Sequence, residues 1–296
     1  MDPADRLADV LGGTLGAAVR ENAGRIAELR LRSGRPARME LLKGGELSLD
    51  SVDPAELKRI LNRLMENSLY AWEEELKGGY FTAVGGLRVG VCGKMNAGRG
   101  GVESIAGIAS VCIRIPREIR GCAEALARRA LAQGPSSVLI LSPPGLGKTT
   151  MLRDFARIAS ERGYNVAIAD ERREIAACLE GIPQLDVGSR TDVMDGCPKV
   201  LSIPLMVRAC APQLLAADEI GGAGDARAIR EAVRCGVAVA ATAHAGDLEA
   251  AVRRRQIGFL LREGVFDWYA VLGPGVGELR EIRPLRSGRE GKVKGC

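Results

Sequence analysis

Gly145, Gly147, Lys148 and Thr149 stand in the stretch S-P-P-G-L-G-K-T-T at 142–150, after the apolar run V-L-I-L at 138–141. A short strand, a Pro/Gly turn and a helix opening on Lys-Thr-Thr form the context in which a phosphate-binding loop is meaningful. The two glycines let the backbone bend so that successive N–H groups point at phosphate oxygens. Lys148 supplies a point charge for the β- and γ-phosphates, and the Thr149 hydroxyl a hard oxygen for Mg²⁺. The helix that follows adds its N-terminal dipole. Pro144 to Thr150 (Pro144, Gly145, Leu146, Gly147, Lys148, Thr149 and Thr150) are therefore the expected nucleotide-binding residues, with ATP and Mg²⁺ as cofactors. Ser142 departs from the G-x-x-x-x-G-K-S/T pattern, which has glycine at that position. If the position requires φ > 0, serine costs about 1–2 kcal/mol there; if it does not, serine is harmless.

Acidic pairs complete the chemistry. Asp218-Glu219 follows the apolar run Q-L-L-A-A. Asp218 is placed to hold Mg²⁺ beside Thr149, and Glu219 to orient and polarise an attacking water. Asp170-Glu171-Arg172-Arg173-Glu174 follows V-A-I-A, so Asp170, Glu171 and Glu174 form a candidate second carboxylate cluster. The competing reading is a solvated helix start favoured by the dipole. Thr242-Ala243-His244 ends a further apolar run, and His244 at such a tip can sense a γ-phosphate by hydrogen bonding. Arg190, in the polar stretch V-G-S-R-T-D-V-M-D at 187–195, is a candidate trans-acting arginine on a loop.

These residues need a sheet to hold them. From residue 116 onward, short apolar runs alternate with helical patterns: strands at Val138–Leu141, Val166–Ala169, Leu214–Ala217 and Val237–Thr242, helices at 118–132, Lys148–Arg162, Val200–Cys210 and Asp225–Cys235. Fully apolar strands between helices mean a parallel sheet covered on both faces, with functional groups at the carboxyl ends of its strands. The fold class expected is α/β, a parallel P-loop (RecA/AAA-like) sheet covered by helices, with a smaller N-terminal α+β domain. The domains are 1–115 and 116–296.

In the first of these, Leu7–Val19 has helical spacing and I-A-E-L-R-L at 26–31 alternates as a strand. Asp53-Pro54 caps a helix through Leu57, Ile60, Leu61, Leu64 and Met65. A second helix is expected at Leu69–Leu76, and strands at Tyr80–Val84, Leu87–Cys92 and Ser110–Ile115. N-A-G-R-G-G at 96–101 reads as a hairpin loop rather than a phosphate loop, because no helix follows it. No chemistry follows from this domain alone.

Composition sets limits. The chain has 296 residues, 46% hydrophobic and 27% charged, a size that builds two ordinary globular cores. Its net charge of +5, from 42 basic and 37 acidic residues, does not demand nucleic acid. Aromatics are 3%, too few for base-stacking platforms. The eight cysteines lack C-x-x-C spacing and there is one histidine, so zinc is not expected and free thiols in a reducing compartment are. Acids near the N-terminus do not suit a signal peptide, and no apolar stretch is long enough to span a membrane. The expected location is the cytoplasm, peripheral to a membrane only through a partner.

The motifs occur together, in order: S-P-P-G-L-G-K-T-T-M-L-R-D, I-A-D-E-R-R-E-I-A, G-S-R-T-D-V-M-D, L-L-A-A-D-E-I-G and A-T-A-H-A-G. With E-L-R-L-R-S-G-R-P, G-G-L-R-V-G-V-C-G and I-R-I-P-R-E-I-R-G-C-A before them, residues 26–250 resemble the stage III sporulation protein AA family, ATPases similar to those of type II and type IV secretion systems. The resemblance implies a Walker A site at Gly145, Gly147, Lys148 and Thr149 and a Walker B pair at Asp218 and Glu219. It also implies an acidic box at Asp170, Glu171 and Glu174 and a histidine box at His244. It further implies a homo-oligomer, a hexameric ring, that powers membrane-embedded channel proteins of a sporulation complex during endospore formation. The zinc-binding cysteines of the secretion relatives are absent. Two other functions remain beside this one: a nucleic-acid-directed P-loop ATPase such as a helicase loader, and a nucleotide switch that does not hydrolyse.

Overall fold

A computed structural model describes residues 2–42, 44–66, 72–98 and 101–285. Its contacts divide the chain into two compact units, Met1–Arg117 with Ala177–Gln184, and Glu118–Ala176 with Leu185–Cys296. The division expected at 115/116 thus falls after Arg117, and a segment deep in the second half returns to the first unit.

The first unit is a six-stranded antiparallel sheet in the order β3-β2-β1-β6-β5-β4. Its strands are β1 (Ile26–Arg32), β2 (Arg35–Leu41), β3 (Glu46–Val52), β4 (Tyr80–Ala83), β5 (Leu87–Gly98) and β6 (Gly101–Arg114). The helices are α1 (Pro3–Leu11), α2 (Gly13–Glu21), α3 (Pro54–Leu64) and α4 (Glu73–Lys77). The single helix expected over Leu7–Val19 is two, because Gly12 and Gly13 take φ of 65° and 52° and end the right-handed run between them. Asp53 caps α3 by accepting from the Glu56 N–H at 2.8 Å. Leu29 and Leu31 of β1 join Leu7, Leu57, Ile60 and Leu64 in one core. The opposite face of β1 carries Glu28, which pairs with Arg30 and Arg114. The helix expected at Leu69–Leu76 begins outside the described residues; α4 is its described part. Two residues of the 96–101 loop, 99 and 100, also lie outside them.

The second unit is a seven-stranded sheet ordered β13-β12-β7-β11-β10-β8-β9. The strands are β7 (Val138–Ser142), β8 (Val166–Asp170), β9 (Thr191–Asp195), β10 (Leu214–Ala217), β11 (Ala238–His244), β12 (Trp268–Leu272) and β13 (Leu279–Pro284). All neighbours pair in parallel except β12 and β13. Its helices are α5 (Glu124–Ala130), α6 (Lys148–Glu161), α7 (Lys199–Cys210), α8 (Ala223–Arg234), α9 (Leu248–Arg253) and α10 (Arg255–Arg262). Leu139, Leu141, Ala167, Ala169, Leu215 and Ala217 share a core with Ile203 of α7 and Ile229 of α8. The alternate residues Val138, Ile140, Val166, Ile168, Leu214 and Ala216 are equally buried. Successive strand residues face opposite ways, so both faces are covered, as parallel strands require. The helix expected over 118–132 is confined to Glu124–Ala130, since Gly121 has φ of 82° and interrupts it. Among the described residues no helix is long and apolar enough to cross a membrane.

Candidate nucleotide site at the carboxyl ends of the strands

The carboxyl ends of β7, β8, β10 and β11 bring the chemistry together. β7 runs directly into the turn 143–147, and α6 starts at Lys148. Gly145 and Gly147 have φ of 80° and 85°, the left-handed region open to glycine. A Cβ on Gly147 would lie 2.6 Å from the backbone nitrogen of Gly277, so the close approach of a second loop also demands glycine there. α6 has no side-chain cap and no acid in its first turn. Its N-terminal amides suit an external anion.

Ser142 does not need φ > 0. It is the last residue of β7, fully buried, and pairs across the sheet with His244. Serine is harmless here. Its hydroxyl donates to the Pro143 carbonyl at 2.7 Å and accepts from Lys148 Nζ at 3.3 Å.

Lys148 is 7% exposed and turned back over the loop. Its ammonium donates to the carbonyls of Ser142 and Pro143 at 3.2 and 3.1 Å, and to His244 Nδ1 at 2.9 Å. Burial lowers its pKa, while Asp218 and Glu219 oppose that shift. Thr149 Oγ1 donates to Asp218 Oδ2 at 2.6 Å. The other Asp218 oxygen accepts from the Thr242 hydroxyl and, at 2.9 Å, from the Glu219 N–H. Glu219 holds a left-handed backbone, φ 42°, with its N–H also on Thr242 Oγ1 at 2.8 Å. Its carboxylate meets Arg172 at 2.6 Å and stands 3.7 Å from His244 Nε2. Burial and the Lys148 charge push the His244 pKa below 6.5.

A cleft of about 340 Å³ opens among these groups. Gly145, Gly147, Lys148, Thr149 and Thr150 line it, together with Arg172, Glu174, Asp218, Glu219 and His244. Pro144 and Leu146 do not line it; Leu146 instead accepts from the Gly277 N–H at 3.0 Å. The acidic box is divided. Glu174 borders the cleft, whereas Glu171 pairs with Lys199 of α7. Asp170 is 1% exposed and spends both oxygens on the amides of Glu174, Ile175 and Ala176. Burial raises its pKa and those amides counter the rise. Expected in a catalytic carboxylate cluster, Asp170 is instead engaged by backbone amides and does not line the cleft.

The segment at 187–195 is not a loop throughout, since β9 occupies Thr191–Asp195 as an edge strand. Arg190 is exposed just before it. Arg172, one of the two arginines among those acids, pairs with Glu219, and Val276, which no motif singles out, flanks the loop side of the cleft. G-P-G-V-G at 273–277 is a legible turn signal, yet turn composition does not say what the turn lies against.

The residues fit Mg²⁺ and a polyphosphate. Thr149 and Asp218 offer adjacent hard oxygens, beside flexed glycines and an ammonium. Among the described residues no group of three or more His, Cys, Asp or Glu gathers into a metal site.

The chain was compared with known proteins. The family described as Sporulation stage III, protein AA matches residues 5–289. Stage III sporulation protein AA of Bacillus subtilis (strain 168) is 41% identical over 261 residues, 84% of each chain. Among solved structures, the ATPase DotB of Legionella pneumophila superposes with a TM-score of 0.58 at 16% identity, over 86% of this chain and 74% of that one. The pilus retraction motor PilT, solved with bound ADP, gives 0.60 at 13% identity over 90% and 80%. At those identities the likeness to DotB and PilT is one of fold.

Proposed function

This chain belongs to the sporulation stage III protein AA family, and on that premise we propose that it is an ATP-hydrolysing motor. It works as a homo-oligomeric ring, a hexamer, on membrane-embedded channel proteins during endospore formation. The observation that supports hydrolysis most directly is the Thr149–Asp218–Thr242 chain of hydrogen bonds, which leaves Glu219 beside Lys148 and His244 in one cleft.

The bend at Gly145–Gly147 and the start of α6 receive the β- and γ-phosphates. Lys148 exchanges its carbonyl partners for phosphate oxygens. Thr149 and Asp218 would hold Mg²⁺, which when bound would neutralise charge on the phosphates. Glu219 accepts a hydrogen bond from water and orients it toward the γ-phosphorus. A bond from that water's oxygen forms as the γ-phosphorus–oxygen bond to ADP breaks, and both of the water's protons leave with inorganic phosphate as H₂PO₄⁻. His244 carries a hydrogen-bonding ring from β11 to the γ-phosphate position, a reporter of its loss.

The test is ATP hydrolysis against protein concentration, with Lys148→Ala as control and light-scattering mass on the same samples. Specific activity that rises as monomer becomes oligomer, and vanishes in Lys148→Ala, is the expected result. Activity that is flat with concentration would remove the shared-site ring and leave a self-contained ATPase. Nucleotide binding without turnover would instead favour a switch.

A further inference from the structure

Arg153 lies four residues after Thr149, one turn along the same face of α6. It is 6% exposed. Its guanidinium donates to the carbonyl of Glu174 at 2.7 Å and to that of Ile175. The amides of the same two residues, with that of Ala176, are taken by Asp170 from the end of β8, at 2.8 Å for Glu174 and Ala176. Residues 174–176 belong to no helix or strand. Their backbone groups are satisfied all the same, the carbonyls by a buried cation and the amides by a buried anion.

Opposed charges on the two edges of one peptide segment fix its height and its tilt together. The result is a rigid turn, and the side chain it carries into the cleft is Glu174. Neither clamp residue lines that cleft. Thr149, one turn back on α6, bonds to Asp218 at 2.6 Å. The same helix face therefore governs two acids of the cleft, Asp218 directly and Glu174 through its backbone.

We propose that Arg153 is a positioning residue for the reaction: it ties the placement of the Glu174 carboxylate to the phosphate-loop helix. The proposal rests on the ATPase reading above. It predicts that Arg153 matters to turnover through Glu174. Replacing Arg153 with Met removes both carbonyl bonds and leaves the phosphate loop intact. The dissociation constant of a fluorescent ATP analogue then stays within about threefold, while kcat falls on the order of 10- to 100-fold, the scale of a misplaced group at a reacting centre.

A double-mutant cycle separates positioning from general weakening. Arg153→Met, Glu174→Gln and the double variant are compared for kcat, analogue binding and thermal unfolding. If Arg153 acts through Glu174, the double variant turns over no slower than the slower single one, within about twofold. Arg153→Lys, which keeps the charge and part of the bonding, recovers part of the rate. It also replaces Arg153→Met in the cycle should that variant not fold.

Losses that multiply in the double variant overturn the proposal, as does an Arg153→Met or Glu174→Gln enzyme as fast as the parent. If the parent hydrolyses no faster than Lys148→Ala, the ATPase reading fails and this inference falls with it. If the parent is active and the cycle is multiplicative, only the positioning role falls.

Discussion

Lys148 Nζ stands 2.9 Å from His244 Nδ1. An ammonium has only hydrogens to offer, so the imidazole nitrogen accepts, and the ring is neutral with its proton on Nε2. Nε2 faces the Glu219 carboxylate at 3.7 Å. One histidine thus stands between Lys148 and Glu219, in the tautomer that both neighbours favour.

The first prediction concerns that ring. Burial lowers the His244 pKa from 6.5, Lys148 and Arg254 lower it further, and Glu219 and Asp218 oppose them. The folded state thus binds its proton less readily than the unfolded one. Its contribution to stability is complete above about pH 6.5 and is lost as pH falls from there through the folded value. Since the chain has a single histidine, its ring signals in a proton NMR titration give the folded pKa directly. The midpoint is expected below 6.5 in the parent and higher in Lys148→Met. A midpoint unmoved by Lys148→Met would refute the contact.

Thr242 is a second lever. Its hydroxyl donates to Asp218 and accepts from the Glu219 amide, and the side chain is fully buried. Thr242→Val keeps the shape and removes both bonds, at a cost of about 1–3 kcal/mol in denaturant unfolding. Thr242→Ser should regain most of that and most of the hydrolysis. If valine and serine behave alike, the hydroxyl is not holding Asp218.

Glycine at Ser142 should bring no benefit. The residue ends a strand, so Ser142→Gly gains no needed conformation and loses about 0.5–1 kcal/mol to backbone entropy. Affinity for an ATP analogue should stay within about twofold of the parent. A marked tightening would mean that serine restrains the loop after all.

Glu219 sits at φ 42°, where a side chain is strained. Its pairing with Arg172 is largely solvent-facing and contributes little. Glu219→Gly should therefore raise thermal stability, by about 0.5–1 kcal/mol, while abolishing turnover. A variant both less stable and inactive would show that the carboxylate holds the loop rather than straining it.

Much of this site could be read without coordinates because parallel sheets deliver functional groups at strand ends. Lys148 follows the turn after one short apolar run, Asp218 and His244 stand at the ends of two others, and the sheet brings β7, β10 and β11 together. What escaped the reading had no such run. β9 is T-D-V-M-D, an edge strand with three polar residues of five, so its pattern is that of a loop. The split role of the acids was equally hidden. Asp170, Glu171 and Glu174 look alike as letters, yet backbone amides absorb the first, Lys199 the second, and only the third borders the cleft. In the first unit, Gly12 and Gly13 broke a helix whose apolar spacing runs across them.

The strand order also sets a timetable for biosynthesis. β7, residues 138–142, is bordered by β11 and β12, which end at His244 and Leu272. A nascent chain that has emerged only as far as α6 carries the finished phosphate-loop sequence on a strand with two bare edges. Those edges are apolar and ready to pair with another chain. The sheet around β7 closes only after about a hundred further residues have been made, a long-range pairing of the kind that slows folding. Nucleotide affinity should accordingly arrive late and all at once, and ribosome-bound chains that stop short of β12 are the ones exposed to chaperones and to misassembly.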